Sequence, residues 1–121
     1  MRASPEEYIY DSLSNVSDFN GRVYSERQSV AKFPSVVFYA SGGEVTDTNR
    51  RFKLSAQDFR LEIRVGESGQ VQGTKNLTRI RKESIEELRK GGRLIRMEAP
   101  ISIYDPAANA HREIVEVRIK N

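Results

Sequence analysis

The sequence has no cysteine, a single histidine and no apolar run long enough to span a bilayer. The missing cysteine excludes disulfides, thiolate metal sites and cysteine nucleophiles, and it permits a reducing compartment. Met1 to Glu7 has no apolar core of the kind a signal peptide carries. No nucleophile elbow, phosphate loop or dinucleotide fingerprint occurs. Gly66-Glu67-Ser68-Gly69 precedes a helical pattern but lacks the lysine and spacing of a phosphate loop, so Gly69 and Gly73 are read as turn formers. His111 stands between a turn and a strand with no His, Asp or Glu at ligand spacing, and is expected to be an exposed strand-start residue. Asp11, Asp18, Asp47 and Asp58 are dispersed, and no pair of them suits general acid and base. The expectation is therefore no enzyme: no catalytic residue, no metal ligand set and no cofactor-binding residue.

The hydrophobic fraction of 37% and charged fraction of 31% fit a globular chain with more charge than average. At 121 residues the chain is read as one domain, 1–121, with a single modest core. The net charge of +3 is spread along the chain among acidic residues, which favours solubility and does not mark a nucleic-acid site. Arg79, Lys82, Arg89 and Lys90 are interleaved with Glu83, Glu86 and Glu87 and read as a solvated helix face. Tyr8, Tyr24, Phe38, Tyr39 and Phe59 fall on apolar faces and read as core, not as platforms for stacking bases.

The strongest local pattern is Asp58 to Gly66. Phe59, Leu61, Ile63 and Val65 take the odd positions, and Arg60, Glu62 and Arg64 the even ones. In a strand this alternation buries one face and exposes the other. Ahead of it, Ser4-Pro5-Glu6-Glu7 signals a helix start: a capping serine, a proline at the first position and two carboxylates at the positive end of the dipole. Tyr8, Ile9 and Leu13 give that helix one narrow apolar stripe, and it is expected to end near Ser14. Asn20-Gly21 marks a turn, Val23-Tyr24 a short strand or extended arm, and Ser25 to Lys32 has no clear period. Pro34 opens a strand from Ser35 to Ala40 that is apolar on both faces and hence interior. Ser41-Gly42-Gly43 is expected to break it. Glu44 to Lys53 reads as a protruding loop or as a long β-hairpin with its tip near Asp47 to Asn49; the Phe52, Leu54, Ala56 alternation favours the hairpin.

Thr74 is expected to cap a helix that runs to Lys90. Leu77, Ile80, Ser84 and Leu88 trace one face, with Ile85 beside them. Glu86 and Lys90 are spaced to pair, and Gly91-Gly92 supplies the stop. Arg93 to Tyr104 reads as one long strand with Ile95, Met97, Ala99, Ile101 and Ile103 on one face, interrupted at Pro100 by an edge, a bulge or a bend. The turn from Asp105 to Ala110 leads into a strand from His111 to Lys120 that completes an antiparallel hairpin. Val115, Val117 and Ile119 share one of its faces; Arg112, Glu116, Arg118 and Lys120 share the other. The expected fold is α+β: a mainly antiparallel β-sheet packed against one longer helix, with a short N-terminal helix.

The order and punctuation of these elements resemble the tail-terminator (tail-completion) proteins of long-tailed bacteriophages. The resemblance is carried by the N-terminal helix, Gly21-Arg22-Val23-Tyr24 and Phe33-Pro34-Ser35-Val36-Val37. The central strand, the helix and a closing element with Tyr104-Asp105-Pro106 and His111-Arg112 extend it over nearly the whole chain. It contains no catalytic signature, and Glu44 to Lys53 is not fixed by it. The resemblance implies a structural virion protein, a homo-oligomer that forms a hexameric ring on the tail tube. Such a ring stops tube growth and offers a joining surface to the head. Its partners would be the tail tube protein and head–tail connector or neck proteins, with genomic DNA passing through the lumen without specific binding and no membrane involved. The implied location is the head-proximal end of the virion tail, after assembly in the host cytoplasm. Glu44 to Lys53 and Asp105 to Ala110, polar and set between strong strands, are expected to protrude toward neighbouring rings or subunits. Two alternatives stay open: another connector or neck protein, and, from a different class, a small nucleic-acid-binding α+β domain.

Overall fold

Phe59, Leu61, Ile63 and Val65 lie on one face of a long strand and are all buried, as their two-residue period demands. That strand is Arg51–Gly66 in the computed structural model, which describes residues 4–25, 33–48, 51–66, 70–106 and 110–121. In chain order the elements are α1 (Pro5–Ser14), a single 3-10 turn (Ser17–Phe19), β1 (Val23–Tyr24), β2 (Ser35–Thr48), β3 (Arg51–Gly66), α2 (Gln70–Lys90), β4 (Leu94–Met97), β5 (Ile101–Asp105) and β6 (Ala110–Lys120). The six strands form one sheet in the order β1-β2-β3-β6-β4, with β5 also paired to β6. β1 runs parallel to β2, and the other pairings are antiparallel. The fold is the expected α+β, with β1 making the sheet mixed.

Both helices cover the same face. Ile9 and Leu13 of α1 and Leu77, Ile80, Ile85 and Leu88 of α2 join Val36, Phe38, Phe59, Leu61, Ile63, Val115 and Val117 in one core. The Phe38 and Phe59 rings meet edge to face, 6.4 Å between centroids, an arrangement their quadrupoles favour. Ser84 is fully buried on the core stripe of α2 because its hydroxyl donates to the Ile80 carbonyl one turn back, at 2.8 Å. The first turn of α1 is capped as its sequence predicts: Ser4 Oγ accepts from the Glu7 amide at 3.2 Å.

The two helices are locked together at the end of α2. The Tyr8 hydroxyl donates to the Leu88 carbonyl, and the Tyr8 ring lies against Gly91 and beneath the Arg93 guanidinium, 4.9 Å from the ring centroid. Gly92 then adopts a left-handed conformation, φ +72°, with its amide donating to the Arg89 carbonyl at 3.0 Å. This is the glycine stop that the sequence predicts.

Several boundaries differ from expectation. α2 begins at Gln70, so Thr74 is a residue within the helix and not its cap. Gly73 is likewise helical and buried, with a side chain excluded by the ring of His111; it permits a close approach of helix to strand, not a turn. Gly69, with the rest of residues 67–69, lies outside the described residues. β2 does not break at Ser41. It continues to Thr48, absorbing the glycines through register shifts between Ala40 and Gly42 and between Glu44 and Val45; a bulge inserts a residue without ending the pairing. The hairpin reading of Glu44 to Lys53 holds, with Thr48 opposite Arg51; residues 49 and 50 of its tip, and residues 26–32, lie outside the described residues. The long strand expected from Arg93 to Tyr104 is two strands, β4 and β5, separated at Pro100. A register shift between Leu94 and Arg96 places Met97 opposite Val117 and against the core. Ile101 pairs with Ile114 on the other face, so Met97 and Ile101 do not share a side. On the surface of α2, Lys90 pairs with Glu87 at 2.5 Å, one position from the expected partner Glu86.

Gly91→Ala places a methyl group against the Tyr8 ring. We expect a loss of about 1–3 kcal/mol, the usual cost of overpacking, read as a lowered urea midpoint. In a Tyr8→Ala background the same substitution should cost much less, because the obstructed ring is gone.

Candidate assembly surfaces

The two motifs Gly21-Arg22 and Phe33-Pro34 meet in space. Asn20 and Gly21 both take left-handed conformations, φ 47° and +80°, and turn the chain so that Arg22 faces the start of β2. Arg22 Nε donates to the Pro34 carbonyl at 2.8 Å, and Nη2 reaches the carbonyls of Phe33 and Asp18 at 3.4 Å. The Val36 amide donates to the Arg22 carbonyl at 3.1 Å. The guanidinium thus satisfies carbonyls that no ladder serves and fixes where β1 joins the sheet. Nearby, Asp18 and Arg79 make a two-pronged pair at 2.7 and 3.3 Å that ties the 3-10 turn to α2. The Arg79 hydrogen bond holds the Asp18 carboxyl below its ordinary pKa against the opposing effect of burial.

The face of the sheet away from the helices is a lattice of opposite charges. Asp58 pairs with Arg118 through two bonds of 2.7 and 3.1 Å, and Arg60 with Glu116 at 3.6 Å. Glu62 accepts from the Tyr39 hydroxyl and from Arg64, each at 3.1 Å, with Arg112 at 4.0 Å. Asp58 and Arg118, and Arg60 and Glu116, stand directly opposite each other on β3 and β6, whereas Arg64 faces Arg112 across the same ladder and the two share Glu62. The sequence pattern expects Glu62 to be exposed; it is 4% exposed, because two arginines and a tyrosine lie over it. Burying a carboxylate is costly unless partners of this kind satisfy its oxygens. The Asp58 carboxyl is held below its ordinary pKa, first by the Arg118 hydrogen bond, with burial opposing and Arg96 adding a smaller effect.

Beyond the body of the sheet, β2 and β3 continue as a two-stranded ribbon. The β6 ladder ends at Ala56↔Lys120, whereas β2 and β3 stay paired from Glu44↔Ala56 to Thr48↔Arg51. Five residues of strand, Arg51 to Ser55, extend for about 17 Å at the usual rise. An isolated ribbon is marginally stable in water, so this projection is suited to being held by a neighbour. The second expected protrusion, Asp105 to Ala110, joins β5 to β6; residues 107–109 of it lie outside the described residues.

His111 is correctly placed at the start of a strand but is not exposed. It is 8% exposed, wedged between Gly73 of α2 and the Tyr104 ring at 5.1 Å between centroids. Its burial follows from the short reach of Gly73, a signal the sequence contains only as a glycine inside a helical pattern. Beside it Glu113 is ion-paired with Arg81 of α2 and accepts from Ser102 Oγ at 3.4 Å. Burial raises the Glu113 pKa, opposed by Arg81 and Ser102. A cavity of about 340 Å³ lies between Phe33, Pro34, Val65, Gly66, Asn76, Arg79 and Ile80, and its one charged group is already engaged by Asp18. Among the described residues no three His, Cys, Asp or Glu side chains converge as a metal site, and no helix is long and apolar enough to cross a membrane.

No family model and no curated protein matches the sequence. Among solved structures, a chain of the virion of a native gene transfer agent (GTA) particle is similar in fold, with a TM-score of 0.51 and 12% identity over 98% of this chain and 96% of that chain. At that identity the likeness is one of fold.

Asp58 supplies a pH test. Its folded pKa is lowered, so its stabilisation is complete above the unfolded value and is lost as pH falls through the folded value. Asp58→Asn should cost about 1–2 kcal/mol at neutral pH. That gap between parent and variant in urea unfolding should narrow steadily as the pH is lowered into the carboxylate range. Arg22→Ala should cost about 1–3 kcal/mol by leaving carbonyls unserved, with the largest gain in amide exchange at Val36.

Proposed function

We propose that this chain is a structural virion protein of the tail-terminator kind. It forms a homo-oligomeric ring, a hexamer by resemblance, on the head-proximal end of a tail tube, stops tube growth there and presents the surface that joins the head. The observation that carries this reading is the likeness of fold, across nearly the full length of both chains, to a protein chain of a gene transfer agent virion. The arrangement of the Gly21-Arg22 and Phe33-Pro34 motifs supports it, because the residues that carry the family resemblance meet in one structural clamp. The work is done by shape and surface contact, with no bond made or broken. The partners are the tail tube protein on one side of the ring and a connector or neck protein on the other, with DNA passing through without sequence-specific contact.

The nucleic-acid-binding alternative needs aromatic rings displayed on the sheet. Phe38 and Phe59 are buried beneath the helices, and Tyr39, on the open face, is engaged by Glu62. Another neck component would share the same fold, and position within the particle separates the two.

An epitope tag on the C-terminus, imaged by cryo-EM in particles from cells that carry the gene, is expected to mark the junction of tail tube and head. A tag absent from particles overturns the virion reading; a tag elsewhere in the neck replaces terminator by connector. Deleting Thr46 to Asn49 should leave circular dichroism and unfolding cooperativity of the purified protein intact while abolishing its incorporation into particles.

A further inference from the structure

Asn20 is the one asparagine of the chain that is followed by glycine. Both residues are exposed, on the turn that leads from the 3-10 turn into β1. The Asn20 carboxamide makes no hydrogen bond among the described residues, and neither do the two polar groups of the peptide that joins Asn20 to Gly21. Nothing stands within 4 Å of where a Cβ on Gly21 would lie, so the approach to its nitrogen is open. These are the parts that closure of an imide ring requires: a side-chain carbonyl carbon, and one residue on a main-chain nitrogen that no side chain shields.

The resting backbone keeps these parts apart. Asn20 has φ 47° and ψ 46°. At that ψ the Gly21 nitrogen lies nearly anti to the Asn20 Cβ, on the far side of the Cα–C bond from the carboxamide. Turning this single peptide plane over brings the nitrogen round to the side of Cβ. Its neighbours stay where they are: the Arg22 amide keeps the Phe19 carbonyl at 2.9 Å, the Arg22 carbonyl keeps the Val36 amide at 3.1 Å, and Arg22 Nε keeps the Pro34 carbonyl at 2.8 Å. The flip breaks no hydrogen bond, and Gly21 accepts the matching change because glycine populates both signs of φ. Its cost is local. Asn20, held at positive φ, must pass into a region that residues other than glycine sparsely populate.

We propose that Asn20 is a self-modifying site, converted to aspartate and isoaspartate in the folded protein through a flip of the Asn20–Gly21 peptide. The Gly21 nitrogen gives its proton to hydroxide and attacks Cγ of Asn20. The N–Cγ bond forms, the Cγ–Nδ2 bond breaks, and ammonia leaves with a proton from water, which restores the hydroxide. Water then opens the imide at either carbonyl. Breaking the new N–Cγ bond gives aspartate; breaking the original peptide C–N bond gives isoaspartate. Nothing is oxidised or reduced. Isoaspartate adds a methylene to the main chain just ahead of Arg22, and so loosens the contact by which Arg22 fixes β1 to the start of β2.

The test compares rates of conversion in the purified full-length protein, folded and in unfolding urea, at one mildly alkaline pH, by peptide mass spectrometry. A local flip slows the folded protein by about 5- to 150-fold relative to the unfolded chain. A reaction that waits for global unfolding is slowed by more than about 1,000-fold. Conversion at Asn20 within about 150-fold of the urea rate is the expected result, and any slower rate overturns the proposal. Asn20→Gly, which keeps the left-handed turn, should abolish the product in this peptide; product that persists there in the variant also overturns it. The isoaspartyl fraction should exchange the Val36 amide faster than the parent, and equal exchange overturns the effect on β1.

Discussion

β3 has a strand on each side from Ala56 to Arg64, and its apolar face can leave water only if a helix lies across it. That requirement organises the chain. Burying Phe59, Leu61, Ile63 and Val65 contributes about 1.5–3 kcal/mol per side chain before conformational entropy is set against it. An exposed ion pair contributes about 0–1 kcal/mol. The apolar side therefore decides where α2 sits, and the surface charges follow. α2 in turn needs a fixed end, which Tyr8 provides by bonding the Leu88 carbonyl and resting on Gly91. α1, only ten residues long, is too short to persist alone and is held by the helix it fixes.

The opposite face follows another logic. Removing Glu62 from water is costly, and Tyr39, Arg64 and Arg112 offset that cost. Charged ladders of this kind specify register more than they add stability, because a one-residue slip would turn the charged side chains of one strand toward the helix-covered face. A sheet that is dry on one side and largely charge-paired on the other is held in register without being covered on both faces.

Much of this was legible in the residues. The period-two run in β3, the Ser4 cap, the α2 stripe and the Gly92 stop are local signals, and each lies where its local chemistry puts it. The positions that were not legible depend on distant contacts. Thr74 resembles a cap, yet the helix extends back to Gln70, and Gly73 within that first turn packs against His111. His111 looks solvent-facing until Tyr104 and α2 enclose it. Ser41-Gly42-Gly43 reads as a stop, but pairing with Asp58 and Gln57 carries the strand through. Glu62 has the pattern of a surface residue and is covered by side chains from two neighbouring strands. The polar hairpin was visible as a protrusion, whereas the exposure of Ile95, Ile101 and Ile103 was not: a strand pattern states which residues share a side, not whether anything lies against it.

Pro100 divides the outer boundary of the sheet into two short lengths, β4 and β5, both anchored to the one continuous β6. A boundary with a corner cannot be followed by a straight neighbour along its whole length, so any strand laid against it must turn.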